Sequence, residues 1–338
     1  MKKILYIFAL IVVLACVLIS CDFSLLEETT AITPEETTVT TPKETTVTTP
    51  EETTPEAPEN NFPTSQGLAY TVNDDGETCT ITGIGDCSES DIYIGGYIDG
   101  YKVIAIGDDA FSWNFDLTSV TIGDFVISIG KHAFYNCTSI TNAKLPDSVT
   151  TIGYSAFSGC KRLTSITIPN SITTIEPATF DACRTLTSIT IPDSVTIIGD
   201  WAFSSCTNLT SVTIPASVTT IGDAAFSSCT NLASITIPTS VTTIGSRAFD
   251  GCEALTSVTI PDSVTTIGYK AFQYCSALMS ITIGNSVTTI GDNVFLSCSK
   301  LTDIYYIGSK EEWAQVEIGS NNSDLTRATI HYNYIPEE

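Results

Sequence analysis

From residue 111 to the low 300s, the apolar positions of this chain recur with a period of 23. Phe111, Phe134, Phe157, Phe180, Phe203, Phe226, Phe249, Phe272 and Phe295 keep that spacing without exception. A fixed period in this range marks a solenoid of stacked, near-identical units. The copy from Ala202 to Ala224, AFSSCTNLTSVTIPASVTTIGDA, shows the unit. Leu209, Val212 and Ile214 follow the spacing L-x-x-L-x-L, which turns three apolar side chains inward along a short strand. Val218, Ile221 and Phe226 fill the interior on the return path. Pro215 ends the strand where no further ladder donor is needed, and Gly222 is expected to permit a tight turn. One such coil is too thin to cover its own apolar side, so neighbours must stack into a continuous core. Nine coils at a strand spacing of roughly 4.8 Å give a ribbon ~40 to 45 Å long.

The pattern frays at both ends, as the terminal units of a solenoid do. Before Phe111, the residues Cys87, Ile92, Ile94, Val103, Ile106 and Gly107 echo the repeat with about five extra residues. Asn73-Asp74-Asp75-Gly76 offers a hairpin turn ahead of them. After Leu301 the phase breaks. Ser309 to Glu312 has capping-box spacing, which predicts a short helix carrying Trp313 and Val316 on adjoining faces. A final strand over 328–333 is expected to close the edge against uncontrolled pairing. Two different patterns precede residue 66. Lys2 and Lys3 lead an uncharged apolar run from Ile4 to Ile19, shorter than a comfortable membrane span. Asp22 to Ser65 holds 14 threonines, six prolines and ten acids against the single Lys43, with the near-repeat TPEETTVTTPKETTVTTPEETT. So little apolar surface cannot offset the entropy of ordering, and proline with like-charge repulsion extends such a chain. The threonines also leave O-glycosylation open.

The 23-residue period, the string Ile-Pro-x-Ser-Val-Thr-Thr-Ile-Gly and the string Ala-Phe-x-x-Cys resemble the BspA-type leucine-rich repeats of bacterial surface proteins, over residues 67–338. That resemblance implies a β-rich leucine-rich-repeat solenoid, right-handed, with one short strand per 23-residue coil and degenerate end caps. It also implies a surface binding or adhesin role without enzymatic activity, on the weaker warrant of fold analogy. Leu18-Ile19-Ser20-Cys21 resembles the lipobox of bacterial lipoproteins, which implies cleavage before Cys21 and diacylglycerol on its thiol. An ordinary secretory signal or an uncleaved anchor is the plainer alternative. The chain then divides into a lipoprotein signal peptide (1–20), a Thr/Pro/Glu-rich disordered tether (21–65), an N-terminal cap with a degenerate coil (66–106), the repeats (107–302) and a C-terminal cap (303–338). The expected location is extracytoplasmic, anchored to the bacterial membrane or cell surface.

Charge and candidate chemistry narrow the function. The 338 residues carry 14 Lys and Arg against 38 Asp and Glu, a net charge of −24, with 43% apolar residues. This excludes a wholly disordered chain and a nucleic-acid binder acting through a basic face. Loss of Lys2 and Lys3 takes the charge to −26, and residues 66–338 carry −17. The two histidines, His132 and His331, lie far apart in sequence, no G-x-S-x-G is present, and no catalytic, cofactor-binding or metal set is expected. Cys137, Cys160, Cys183, Cys206, Cys229, Cys252, Cys275 and Cys298 keep the 23-residue period, with Asn114 in that place in the first copy. C-x22-C supplies no compact ligand set for zinc, so the column is expected to be a ladder of buried thiols acting as small apolar residues. Disulfides between adjacent coils are sterically allowed but would have to pair up a uniform ladder. A Cys79–Cys87 bridge is left open by the exported setting. Asn73, Asp74 and Asp75 read as a surface turn, and a calcium site there would lack the twelve-residue loop.

Two surfaces remain as candidates. The outward strand positions are Ser/Thr pairs, from Ser165 and Thr167 through Ser211 and Thr213 to Ser280 and Thr282. Threonine is a good strand former, which accounts for the pattern; a lattice-matching face of the kind found in ice-binding solenoids is the functional alternative. The columns flanking Ala-Phe and Cys vary from copy to copy and hold Trp113, His132, Tyr135, Tyr154, Trp201, Arg247, Tyr269, Lys270 and Tyr274. Just after the cysteine column, Lys161, Arg162 and Arg184 fall on adjacent coils. Aromatics and arginine concentrate at interface hot spots, against the alternative of a drifting, solvated rim. Tyr154, Lys161, Arg162, Arg184 and Trp201 are therefore the candidate ligand contacts. The expected partner is a protein or glycan macromolecule on a host or neighbouring cell, bound by a monomeric domain. Nucleic acid is excluded, and the membrane is met only through lipidated Cys21. A structural or assembly component of the cell envelope is the alternative.

Overall fold

A computed structural model describes residues 63–335. The signal segment, Cys21, the tether up to residue 62 and the last three residues lie outside the described residues. The chain winds into a β-solenoid of about 11 turns with almost no helix. Each turn has three sides. On the first, a short strand such as Ser211–Thr213 pairs in parallel with its counterparts in the coils before and after, Ser211 opposite Ser234 and Thr213 opposite Thr236. On the second, a two-residue strand such as Thr220–Ile221 does the same, with Ile198 opposite Ile221. The third side has no strand. Residues 222–230 and their equivalents cross it as a run of overlapping turns. Between the strands, Pro215 O accepts the Val218 N–H at 3.1 Å, so the Ile-Pro string makes a corner.

The expected inward set forms the core. Leu209, Val212, Ile214, Val218, Ile221 and Phe226 are all buried, with Ser211 and Thr213 facing out. The phenylalanines form one stack through the solenoid from Phe111 to Phe295. Successive ring centroids lie 5.1 to 5.9 Å apart with interplanar angles of 12° or less. Removing one such ring from water is worth ~1.5 to 3 kcal/mol.

Several side-chain ladders run along the solenoid beside the backbone ones. Ser217 Oγ donates to Val195 O at 2.6 Å, and Ser194, Ser240 and Ser263 repeat the bond one coil apart. Thr219 Oγ1 donates to Thr196 O at 3.2 Å. The cysteine column is another: its thiols are buried, as expected, and each also donates a hydrogen bond. Cys206 Sγ donates to Phe180 O at 3.2 Å, and all eight thiols make the same bond to the phenylalanine carbonyl 26 residues earlier, at 3.0 to 3.3 Å. That carbonyl already accepts the Cys183 N–H, so the thiol takes its second lone pair. Asn114, in the first copy, instead accepts the N–H groups of Asp116 and Leu117. Cys79, buried, and Cys87, half-buried, are free thiols, so the bridge left open between them is not formed.

The glycine of this column, replaced only by Glu176 in one coil, serves close approach rather than an unusual turn. A Cβ on Gly222 would lie 2.6 Å from Asp200 Oδ1 and 2.7 Å from Asp200 N in the previous coil. The tight geometry falls instead to residues on the turn side, where two columns adopt left-handed backbone. Trp201 (φ 55°), Ala224 (φ 52°) and Arg247 (φ 58°) belong to one; Ser205 (φ 57°), Ser228 (φ 59°) and Gly251 (φ 73°) belong to the other.

Both ends extend the ladders before covering them. Asp91–Ile94 pairs with Ser119–Ile122, and Tyr101–Ile106 with Ser128–Ile129, so the degenerate segment is a true coil. The antiparallel hairpin Ala69–Val72 and Thr78–Gly83 lies outside it, turned at Asn73 to Gly76. The Asp75 carboxylate accepts from Thr78 Oγ1 and from two backbone N–H groups, which holds its pKa down and ties the turn. At the far end the capping box forms, with Ser309 Oγ accepting Glu312 N–H and Glu312 Oε2 accepting Ser309 N–H, and Trp313 packs edge-on to Tyr306 at 5.0 Å. A second short helix, Ser323–Arg327, was not marked by the pattern. Asn322, just before it, accepts the Phe295 N–H and donates to Gly291 O, replacing a missing next coil. The final strand, Thr329–His331, continues the first ribbon in parallel with Asp303–Tyr305.

Candidate functional site on the turn-lined side

The turn side holds its shape through backbone bonds, which leaves its outward side chains free to vary. Ala110, Ser112 and Asn114 donate their N–H groups to carbonyls three residues back in their own coil. Asp109, Phe111 and Trp113 donate to the carbonyls of Lys131, Ala133 and Tyr135 in the next coil. Alternating in this way satisfies the N–H groups of residues 109 to 114 with backbone carbonyls, and at the start of the run an aspartate of the previous coil can accept instead, as Asp108 does from Lys131 N–H and Asp200 from Asp223 N–H. The inter-coil bonds join residues 22 apart, one fewer than the sequence period. Outward side chains of neighbouring columns, 22 residues apart, can therefore meet across coils, while the inward phenylalanines stack within one column.

That offset assembles an aromatic strip near the N-terminal end. Trp113 lies edge-on to Phe115 at 6.1 Å and to Tyr135 at 5.5 Å. His132 joins Tyr135 at 5.2 Å and Tyr154 at 5.3 Å, again edge-on. Trp113 is 57% exposed, Phe115 54% and Tyr154 43%. His132 Nδ1 lies 3.4 Å from the exposed carboxylate of Asp109. Sequence reading placed four of these five rings on variable columns without joining them and passed over Phe115. The available signal was the pair of 22-residue offsets, Trp113 to Tyr135 and His132 to Tyr154.

Lys161, Arg162 and Arg184 are exposed and have no ion-pair partner among the described residues. Arg184 does act on Asp181, whose carboxyl is pushed up mainly by burial and is drawn back down by hydrogen bonds from Ser204 and Ser158 and by the Arg184 charge. Tyr154 is in the same coil as Lys161 and Arg162, but residues 155–160 between them are all buried. Tyr154 thus joins the aromatic strip. Trp201, half exposed at 50%, stands on a left-handed position in the coil whose neighbour carries Arg184. Further along, Tyr269 is covered by its own cations, Arg247 at 5.7 Å and Lys270 at 5.0 Å from the ring centroid.

The strand face offers less relief. Ser211, Thr213, Ser234 and Thr236 are exposed and repeat from coil to coil. At its N-terminal end a hollow of about 70 Å³ is lined by residues including Tyr93, Thr121, Lys144 and Pro146. That is room for a few waters rather than a substrate.

Residues 104–233 and 219–333 match the model of the BspA type leucine rich repeat region, in six copies. The chain belongs to the BspA-type leucine-rich repeat family. A solved leucine-rich repeat protein from Bacteroides ovatus is 31% identical, with a TM-score of 0.70 over 79% of this chain and 70% of that one. The leucine-rich repeat protein of T. pallidum is 24% identical over 71% of this chain and 90% of its own, with a TM-score of 0.49. A leucine rich cell surface protein from Faecalibacterium prausnitzii is 28% identical over 78% and 98%, with a TM-score of 0.34. No curated protein matches the sequence. BspA-type repeats form a surface-type family of solenoids, a fold suited to protein–protein interaction and typically non-enzymatic.

Proposed function

We propose that this BspA-type protein is a lipid-anchored surface binding module, an adhesin that recognises a macromolecule on a host or neighbouring cell through its turn-lined side. One observation carries the reading: backbone bonds and buried, repeated side chains maintain that side, while its exposed aromatic and basic side chains change from coil to coil. The strand face repeats Ser and Thr and has no feature to fix a partner's register. Lys161, Arg162 and Arg184, with Trp201 in the coil after Arg184, are the contacts proposed for an anionic segment. On a domain of charge −17 they attract locally while the whole repels anionic surfaces. Anchoring through Cys21 and reach through the acidic tether complete the reading. Cys21→Ala should leave an unprocessed precursor without acyl label; continued labelling with palmitate would contradict the anchor.

The test of function is capture by the full chain from arrays of extracellular-matrix proteins and glycans, beside crosslinking on intact cells. Binding to array members, weakened by charge reversal at Lys161, Arg162 and Arg184, is the expected result. Crosslinks only to itself or to envelope proteins, with empty arrays, would favour the alternative of an envelope assembly component.

A further inference from the structure

The aromatic strip calls for a ligand of different chemistry from the basic cluster. Two rings of this chain are covered by its own cations: Lys102 Nζ sits 4.3 Å over the half-buried Phe125 ring, and Lys270 and Arg247 lie over the exposed ring of Tyr269 on the turn side. The rings of Trp113, Phe115, Tyr135 and Tyr154 have no such cap; they meet one another and His132, edge to face. An aromatic face attracts a cation by its quadrupole, more so beside a carboxylate. Asp109 supplies that carboxylate against His132, and Asp108 and Asp116, also exposed, flank the strip in sequence. Exposed rings with no cation of the chain over them, local carboxylates and a negative domain are complementary to one class of occupant.

We propose that the strip from Phe115 to Tyr154 docks a cationic segment of a partner protein, its Arg or Lys side chains lying over the Trp113 and Tyr135 rings with Asp109 pairing the charge. The strip spans three successive coils, so an extended segment running along the solenoid axis meets a new ring at each coil. This deepens the binding-module reading and rests on it, but it names a separate patch with the opposite preference from Lys161, Arg162 and Arg184.

The test uses the full chain and a fluorescent (Arg-Gly)6 peptide, with (Glu-Gly)6 and cellohexaose as comparison probes. The variant Trp113→Gly/Tyr135→Ser installs residues that other coils already carry in the same columns, Gly159 and Gly251 for the first, Ser204 and Ser227 for the second. Folding is followed by its melting curve. The expected result is saturable binding of (Arg-Gly)6, weakened about tenfold in the double variant and by a smaller factor in Asp109→Asn, with a single cooperative melting transition kept in both. Absence of (Arg-Gly)6 binding, equal affinity in the double variant, or cellohexaose binding lost in that variant would each overturn the proposal. Equal affinity would mean that diffuse negative charge does the binding. A cell-surface partner captured in the arrays but indifferent to the strip variants would overturn the strip's role and leave the binding-module reading standing.

Discussion

Ser228 and Gly251 occupy one column, one coil apart, and both have left-handed backbone, at φ 59° and 73°. Such a conformation costs an L side chain roughly 1 to 2 kcal/mol, partly offset by the greater unfolded-state entropy of glycine. Ser228 is exposed, so Ser228→Gly should raise stability by about 0.5 to 1 kcal/mol in urea unfolding, and Gly251→Ser should lower it by a similar amount. No change in either would mean the turn side carries no strain. Phe203 tests the opposite kind of position: fully buried, stacked on Phe180 at 5.5 Å and Phe226 at 5.3 Å. Phe203→Ala should cost ~3 to 5 kcal/mol through the cavity it leaves. A loss below about 1 kcal/mol, typical of surface changes, would deny the stack its role as spine. At this scale the apolar set was legible, because an inward position tolerates only apolar side chains. Left-handed positions were not, because here they hold Trp, Arg, Ala and Ser as well as Gly, and no residue type announces them.

Among the elements, the thiol column makes the sharpest prediction. Burial pushes the thiols of Cys137, Cys229 and Cys298 up to about 12, and those of Cys160, Cys183, Cys206, Cys252 and Cys275 well above the ordinary value. Below about pH 9 a thiol is protonated both folded and unfolded and contributes no pH dependence. Above it the unfolded chain ionises and the folded one does not, so stability falls as pH rises, by up to about 1.4 kcal/mol per pH unit for each thiol. Eight in one column should give a steep loss between pH 9 and 11 in denaturant midpoints, shallower when several are changed to Ala; a flat profile would place the thiols in water. Cys206→Ala alone should cost about 1 to 2 kcal/mol at pH 7, from the lost bond to Phe180 O and a small void. The column itself was evident from its period. Its bond was not, because the acceptor lies 26 residues back, and the aromatic strip escaped notice for the same reason, its partners lying 22 apart.

For the whole molecule, the period alone carried the architecture, since a unit that cannot bury its own apolar side has to stack. At the ends the period is lost but the ribbons go on. The segment before Phe111 and the strand Thr329–His331 continue the ribbons although their sequences have drifted, because backbone pairing asks for an extended edge and not for the repeat's side chains. The candidate basic contacts could be picked out from residue types and adjacency. Which of them share a patch could not, because burial of 155–160 between Tyr154 and Lys161 is a property of the turn run and leaves no mark on spacing. The proposed function turns on which side of the solenoid meets its partner. Photo-crosslinking residues placed singly at Trp201, Lys161, Thr213 and Thr236 in the full chain on intact cells decide it. Recognition through the turn-lined side means that Trp201 and Lys161 capture a partner and that Thr213 and Thr236 do not; capture from the two threonines alone would put recognition on the strand face and contradict it.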